Sequence, residues 1–357
     1  MNELPAIRLL IIDDSRFNRE TIADFFRGDH RVEVVGMARD GQQGLHMALT
    51  LKPTVITVDL EMPKMDGFAF IRLMMANHPV PIIVISSHAA REVVFRAMEL
   101  GALDFVAKPS DRITSDISAI RDDVVRKVLS AAHYNREGLR ILSDDAPKTG
   151  VHALPHTAPL AAESALANRL VVIGASTGGP ASLTRILRSL PANFAAAIVI
   201  AQHMPPRFTT TFAERLGRMS PLAVTELTAS ALLRKGHVYL SPGDASIEVH
   251  RATRGLLAKA VTPHPDDRYT PSVDRLFVTA AKAAGADVLA VVLTGMGDDG
   301  ALGVQAVSAK GGQIIAESEE TAVIYGMPRA ALETQVPLKQ RPLHMIADAI
   351  HHFSRKA

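Results

Sequence analysis

The chain reads as an α/β protein of two domains, and three observations carry that expectation. Short apolar runs alternate with amphipathic stretches along most of its length, the alternation breaks once near the middle, and 357 residues exceed what one hydrophobic core comfortably serves. Residues 1–132 hold apolar runs at 7–12, 32–37, 55–58, 82–85 and 105–106, with helical spacing between them, for example over 67–75 and 91–100. Five strand–helix units in that length predict a doubly wound, five-stranded parallel sheet.

The break follows. Asp144, Asp145, Pro147, Gly150, Pro155 and Pro159 interrupt any period, which predicts a linker over 133–167. The alternation then resumes with runs at 170–173, 197–201, 238–240, 247–249 and 287–293. These predict a second α/β domain over 168–357 with a mostly parallel sheet, and a hairpin over 237–250 around Ser241-Pro242-Gly243-Asp244. No internal repeat recurs at a fixed period.

Composition removes several classes of function. The 39 basic and 37 acidic residues give a net charge of +2, divided as −2 over residues 1–132 and +4 over the rest. Nothing in that balance asks for a nucleic-acid partner, and 4% aromatic residues without Trp supply no base-stacking surface. Zero cysteines exclude a disulfide framework, a thiolate zinc site and a cysteine nucleophile, and fit a reducing cytoplasm. No apolar run approaches the ~20 residues of a membrane helix, so direct membrane insertion is not expected. Glu3, and an apolar stretch that runs straight into Asp13 and Asp14, do not read as a secretory signal.

In the first domain, Asp13 and Asp14 fall at the end of the first expected strand and Asp59 at the end of the third. In a doubly wound sheet these strands are neighbours, and ligands bind beyond their carboxyl ends. Three converging carboxylates repel, and a hard cation such as Mg²⁺ relieves the repulsion while also suiting phosphoryl oxygens. Lys108 ends the fifth strand as a point charge for an anion, and Ser86 offers a hydroxyl at the end of the fourth. One acid at a strand end is commonly just solvated or capping a helix; three acids, a lysine and a serine around one crevice read otherwise. Ile11-Ile12-Asp13-Asp14-Ser15, Val58-Asp59-Leu60-Glu61-Met62-Pro63 with Met65-Asp66-Gly67, Ser86-Ser87 and Ala107-Lys108-Pro109 together resemble a response-regulator receiver domain. The resemblance implies that Asp59 accepts a phosphoryl group from a histidine kinase of the CheA type. It also implies that Asp13, Asp14 and Asp59 hold Mg²⁺, that Lys108 meets the phosphoryl group and that Ser86 reorients toward it. Phe105 matches the aromatic switch position; lacking a hydroxyl, it must signal by repacking.

In the second domain, Gly174-Ala175-Ser176-Thr177-Gly178-Gly179 follows a strand and opens a helix with Pro180 in its first turn. Three readings fit: a phosphate cradle, a small-residue packing turn, or a G-x-S-x-G nucleophile turn whose N–H groups face a developing oxyanion. His203, in Gln202-His203-Met204-Pro205-Pro206, and the pair Asp298-Asp299, in Gly295-Met296-Gly297-Asp298-Asp299-Gly300, also follow expected strands. Serine needs an imidazole to take its proton, and the imidazole needs a carboxylate to fix its tautomer. The order Ser, His, Asp departs from that of α/β-hydrolases. Among 14 histidines, His156, His237, His250 and His264 read as surface or structural, and no paired-histidine spacing supports a metal.

Gly174-Ala175-Ser176-Thr177-Gly178-Gly179-Pro180, Gln202-His203-Met204-Pro205, Ser241-Pro242-Gly243-Asp244, Pro271-Ser272-Val273-Asp274 and Leu293-Thr294-Gly295-Met296-Gly297 resemble the catalytic domain of the CheB family of chemotaxis methylesterases. The resemblance implies a catalytic triad of Ser176, His203 and Asp299, with backbone around Thr177 and Met296 at the oxyanion site. It further implies a receiver-regulated serine hydrolase that demethylates glutamate methyl esters of methyl-accepting chemoreceptors, deamidates receptor glutamines and needs no cofactor for the ester chemistry. Two other readings stay open from the residues alone: a hydrolase acting outside chemotaxis, and a non-enzymatic output domain that binds a ligand at the glycine-rich turn.

Overall fold

A computed structural model describes residues 5–87, 91–108, 120–131, 134–135, 137–138 and 165–355. The chain divides into two compact units, residues 1–148 and 149–357. The expected linker falls outside the described residues except at 134, 135, 137, 138 and 165–167, and His156 falls outside them as well.

The first unit is built on strands β1 (Ile7–Ile12), β2 (Val32–Ala38), β3 (Val55–Val58), β4 (Ile82–Ser87) and β5 (Asp104–Lys108), in the order β2-β1-β3-β4-β5. Every pairing is parallel. The runs are apolar on both faces because helices cover both: Leu9, Leu10, Ile11, Ile56 and Val84 are fully buried. Helices α1 (Arg16–Asp24), α2 (Gly41–Leu51) and α3 (Gly67–Asn77) start at Ser15, Asp40 and Asp66, whose side chains accept the first free N–H groups. Helices α4 (Arg91–Glu99) and α5 (Arg121–Ala131) follow among the described residues.

The second unit contains strands β6 (Leu170–Ala175), β7 (Ala197–Gln202), β8 (Ala223–Glu226), β9 (Ser230–Leu232), β10 (His237–Leu240), β11 (Ser246–Ala252), β12 (Gly255–Val261), β13 (Val288–Val292), β14 (Gln313–Glu317) and β15 (Lys339–Arg341). Its helices are α6 (Gly179–Ser189), α7 (Phe208–Met219), α8 (Val273–Ala284), α9 (Ala301–Ala309), α10 (Met327–Glu333) and α11 (Leu343–Arg355). Seven strands form one parallel sheet in the order β15-β14-β13-β6-β7-β10-β8. Residues 165–167 pack on this unit: the Ala165 carbonyl accepts the Lys235 N–H, and the buried Ala167 donates to the Leu233 carbonyl.

One expectation needs correction. No hairpin joins 237–240 to 246–250. Strand β10 lies parallel between β7 and β8, whereas β11 pairs antiparallel with β12 in a separate three-stranded sheet with β9. The Ser241-Pro242-Gly243-Asp244 turn carries the chain from one sheet to the other. Gly243 is pressed so close to the Met204 carbonyl that a Cβ there would lie 2.5 Å from it. Residues that read as a reversal are in fact fitted under the His203 loop.

The strand order fixes the site. From β6 the chain moves outward to β7 and beyond, then returns across β6 to β13 and continues to β14 and β15. The carboxyl end of β6, flanked by β7 and β13, is therefore the topological switch point, where adjacent loops part and leave a crevice.

Candidate active site

Ser176, His203 and Asp299 follow β6, β7 and β13, the three strands of that switch point. In register, Ala175 pairs with Gln202, so Ser176 and His203 are the next residues beyond two adjacent strand ends. Backbone bonds continue the ladder past them: the His203 N–H donates to the Ala175 carbonyl at 3.0 Å, and the Ser176 N–H donates to the Thr294 carbonyl at 3.1 Å. The buried Gln202 amide donates to the Ser176 carbonyl at 2.9 Å and to the His203 carbonyl at 3.0 Å, so one side chain fixes both turns. Gly295 completes the approach, because a Cβ there would come within 2.8 Å of the Ser176 Cβ.

His203 Nε2 and Asp299 Oδ2 are 2.8 Å apart. An ionised carboxylate only accepts, so Nε2 carries the proton and Nδ1 is left as the acceptor. The ring of Tyr269 stacks on the imidazole at 5.1 Å between centroids and 7° between planes, which holds the ring orientation. Among the described residues, no hydrogen bond joins Ser176 Oγ to the imidazole; such contacts are often loose before substrate closes them.

Asp299, at 2% exposure, is held from two more directions: the N–H groups of Val273 and Asp274, in the first turn of α8, donate to its two oxygens at 2.8 Å each. A helix N-terminus is a favourable seat for a buried anion. The arrangement is reciprocal. Asp274 accepts from Gly300 and Gly303 at the start of α9, at 2.9 and 2.7 Å, and burial pushes its carboxyl up to about 6. Asp298 points elsewhere. It is half exposed and bonded to Arg268 at 2.9 Å and to the Tyr269 hydroxyl at 3.1 Å. Of the two neighbouring acids, the imidazole meets Asp299.

Thr177 is buried, and its carbonyl accepts the Thr294 hydroxyl at 3.0 Å. Met296 is half-buried and directly follows Gly295. Tyr269, Asp274 and Gln202 touch the site and were assigned no role by sequence reasoning; Glu317, whose Oε2 accepts the Thr294 N–H at 2.9 Å, was likewise assigned none. An acid ending the apolar strand Ile314-Ile315-Ala316, or an acid in the first turn of α8, is a signal, but only contact shows which turn it serves.

The first unit gathers its expected residues as well. Asp13, Asp14 and Asp59 each present a carboxylate oxygen within 4.8 Å of the others. Lys108 Nζ is 3.0 Å from Asp13 Oδ2 and also bonds Asp59 Oδ2. Burial pushes the Asp59 carboxyl up; Lys108 opposes this and Asp13 adds to it. Burial alone would lower Lys108, but the Asp59 and Asp13 charges outweigh that and hold it above the usual lysine range. Three hard oxygen donors so placed fit a divalent cation. The Ser86 hydroxyl is buried and has no hydrogen-bond partner among the described residues. Phe105 is buried, edge-on to Phe95 of α4 at 6.3 Å, with Lys127 Nζ of α5 at 5.3 Å from its ring centre. Any shift of that ring must be felt by both helices.

The fold and the two clusters define a class: an acidic phosphoacceptor-type pocket on one parallel sheet, and a Ser-His-Asp arrangement at the switch point of another. Residues 171–350 match the CheB methylesterase family and residues 9–117 the response regulator receiver domain. The chain is 44% identical over 343 residues to protein-glutamate methylesterase/protein-glutamine glutaminase 3 of Geobacter sulfurreducens, covering 92% of each chain. It is 42% identical over 359 residues to the corresponding protein 1 of Myxococcus xanthus, covering 100% of this chain and 99% of that one. The CheB methylesterase catalytic domain of Thermotoga maritima, a crystal structure, superposes with a TM-score of 0.50 at 37% identity, over 52% of this chain and 97% of that one. The chain belongs to the CheB family of receiver-linked protein-glutamate methylesterases, a family of hydrolases. Among the described residues, no helix is long and apolar enough to cross a membrane.

Proposed function

We propose that the chain is a cytoplasmic hydrolase that removes methyl esters from glutamates of methyl-accepting chemoreceptors, through Ser176, His203 and Asp299. The His203–Asp299 bond beside Ser176 at the switch point carries this reading. His203 Nδ1 takes the Ser176 proton as Oγ attacks the ester carbonyl carbon. The oxyanion that forms is met by backbone N–H groups around Thr177 and Met296. As the intermediate collapses, the carbon–methoxy bond breaks and His203 returns its proton to the leaving oxygen, releasing methanol. Water then attacks the acyl carbon with the same imidazole taking its proton; the carbon–Oγ bond breaks, His203 returns the proton to Ser176 Oγ, and glutamate leaves. Receptor glutamine follows the same course with ammonia as the leaving group.

Asp59 is the phosphoacceptor in this reading, with a CheA-type histidine kinase as donor. Asp13, Asp14 and Asp59 would hold Mg²⁺, which neutralises phosphoryl and carboxylate charge when bound. Lys108 pairs with a phosphoryl oxygen, Ser86 turns toward it, and Phe105 repacks between α4 and α5. The expected result is that a small phosphodonor with Mg²⁺ labels the full chain once. Asp59→Asn and a chelator-treated sample stay unlabelled, and labelling raises the rate of methanol release from methylated receptors. Stoichiometric labelling of Asp59→Asn, or an unchanged rate after labelling, would contradict the assignment.

A further inference from the structure

Glu317 is the last residue of β14 and has no exposed surface. Burial pushes its carboxyl up to about 7, with Arg185 of α6 the charged group whose field opposes the rise. A carboxyl in such a place costs free energy, and its bonds indicate what it does there. Oε2 accepts the Thr294 N–H at 2.9 Å, and Oε1 accepts the Thr321 hydroxyl at 3.0 Å. Thr321 in turn accepts the N–H of Leu343, at the start of α11.

Thr294 is the hub. It lies just beyond the last register pair of β13 and β14, Val292 with Ala316, so Glu317 offers its N–H a side-chain acceptor where the ladder has ended. Its carbonyl accepts the Ser176 N–H at 3.1 Å, and its hydroxyl donates to the Thr177 carbonyl at 3.0 Å and accepts the Ile324 N–H at 2.9 Å. Every polar group of Thr294 is thus engaged, and two of them end on the backbone of the serine turn.

We propose that Glu317 is a positioning residue for hydrolysis: by holding the Thr294 N–H it fixes the Thr294 carbonyl and hydroxyl, and through them the backbone of Ser176 and Thr177. The inference rests on Ser176 as the nucleophile. It concerns geometry, since Glu317 touches neither substrate nor the reacting atoms. Removing its oxygens leaves a buried N–H without an acceptor, and the turn shifts or loosens to find one. A glutamine keeps a carbonyl oxygen at the same reach.

The test is hydrolysis of a small soluble ester by the full chain, with rates expressed per Ser176 titrated by a fluorophosphonate. That normalisation removes any loss of folded protein, which is all a purely structural role would produce. Glu317→Ala is expected to lower kcat per titrated site about ten- to a hundredfold with KM changed by less than about threefold. Glu317→Gln is expected to restore kcat to within about threefold of the parent. Thr294→Val, similar in volume and lacking the hydroxyl, is expected to lower kcat as well, and it carries the test should the alanine variant not fold. Unchanged kcat in Glu317→Ala, or in Thr294→Val, overturns the proposal, as does a glutamine variant no better than alanine. Full turnover by Ser176→Ala would instead remove the nucleophile assignment on which the proposal stands.

Discussion

Ser176→Ala, His203→Ala and the double variant are expected to lose hydrolysis to the same depth, about 10⁴- to 10⁶-fold in kcat. Nucleophile and base act as a unit. Without the imidazole, Ser176 Oγ keeps its proton and is a poor nucleophile; without Oγ, the imidazole has no attacking group to activate. The double variant therefore has nothing further to lose. Whatever activity survives belongs to substrate binding and to the N–H groups around Thr177 and Met296. Multiplicative losses would mean that two independent routes reach the ester, and the arrangement at β6 and β7 would not be the catalytic one.

The second large effect separates two adjacent acids. Asp299→Asn is expected to lower kcat about 10³- to 10⁴-fold, whereas Asp298→Asn changes it by less than about threefold. The Asp299 carboxylate receives three N–H donors, from Val273, Asp274 and the His203 ring. An asparagine has one carbonyl oxygen and an amide that must donate. At least one of those donors then faces another donor, or the imidazole shifts its proton to Nδ1, the atom that must accept from Ser176. Asp298 offers no comparable leverage, being half exposed and paired with Arg268 and Tyr269 at the rim. A severe Asp298 variant beside a mild Asp299 variant would place the triad carboxylate one residue away.

Much of this was legible before the structure. Apolar runs buried on both faces announce parallel strands, because a helix-covered sheet gives neither face to water. The β1, β3, β6 and β7 runs stood out for that reason. Residues just past such runs carry chemistry, so Asp13, Asp59, Ser176 and His203 could be read from position and type together. What escaped depends on contacts that sequence spacing does not encode. The Ser241-Pro242-Gly243-Asp244 turn has the composition of a hairpin, and only the packing of Gly243 under Met204 makes it a crossover between sheets. The choice of Asp299 over Asp298 could not be made from spacing and rested on family likeness; in the folded unit α8 points its first N–H groups at Asp299. The reciprocal Asp274–α9 bonds, the Tyr269 stack and the Glu317–Thr294 contact join residues more than 20 positions apart and were equally hidden. In the first unit Phe105 was placed by its motif, but its neighbours Phe95 and Lys127 became visible only in the packed unit.

The most direct test of the account is covalent trapping of the nucleophile. A fluorophosphonate presented to the full chain should add once, at Ser176 Oγ with loss of fluoride, as identified by peptide mass spectrometry. The rate should fall steeply in His203→Ala, and Ser176→Ala should remain unlabelled. Labelling of a different serine, or labelling of Ser176 at an equal rate without His203, would contradict it.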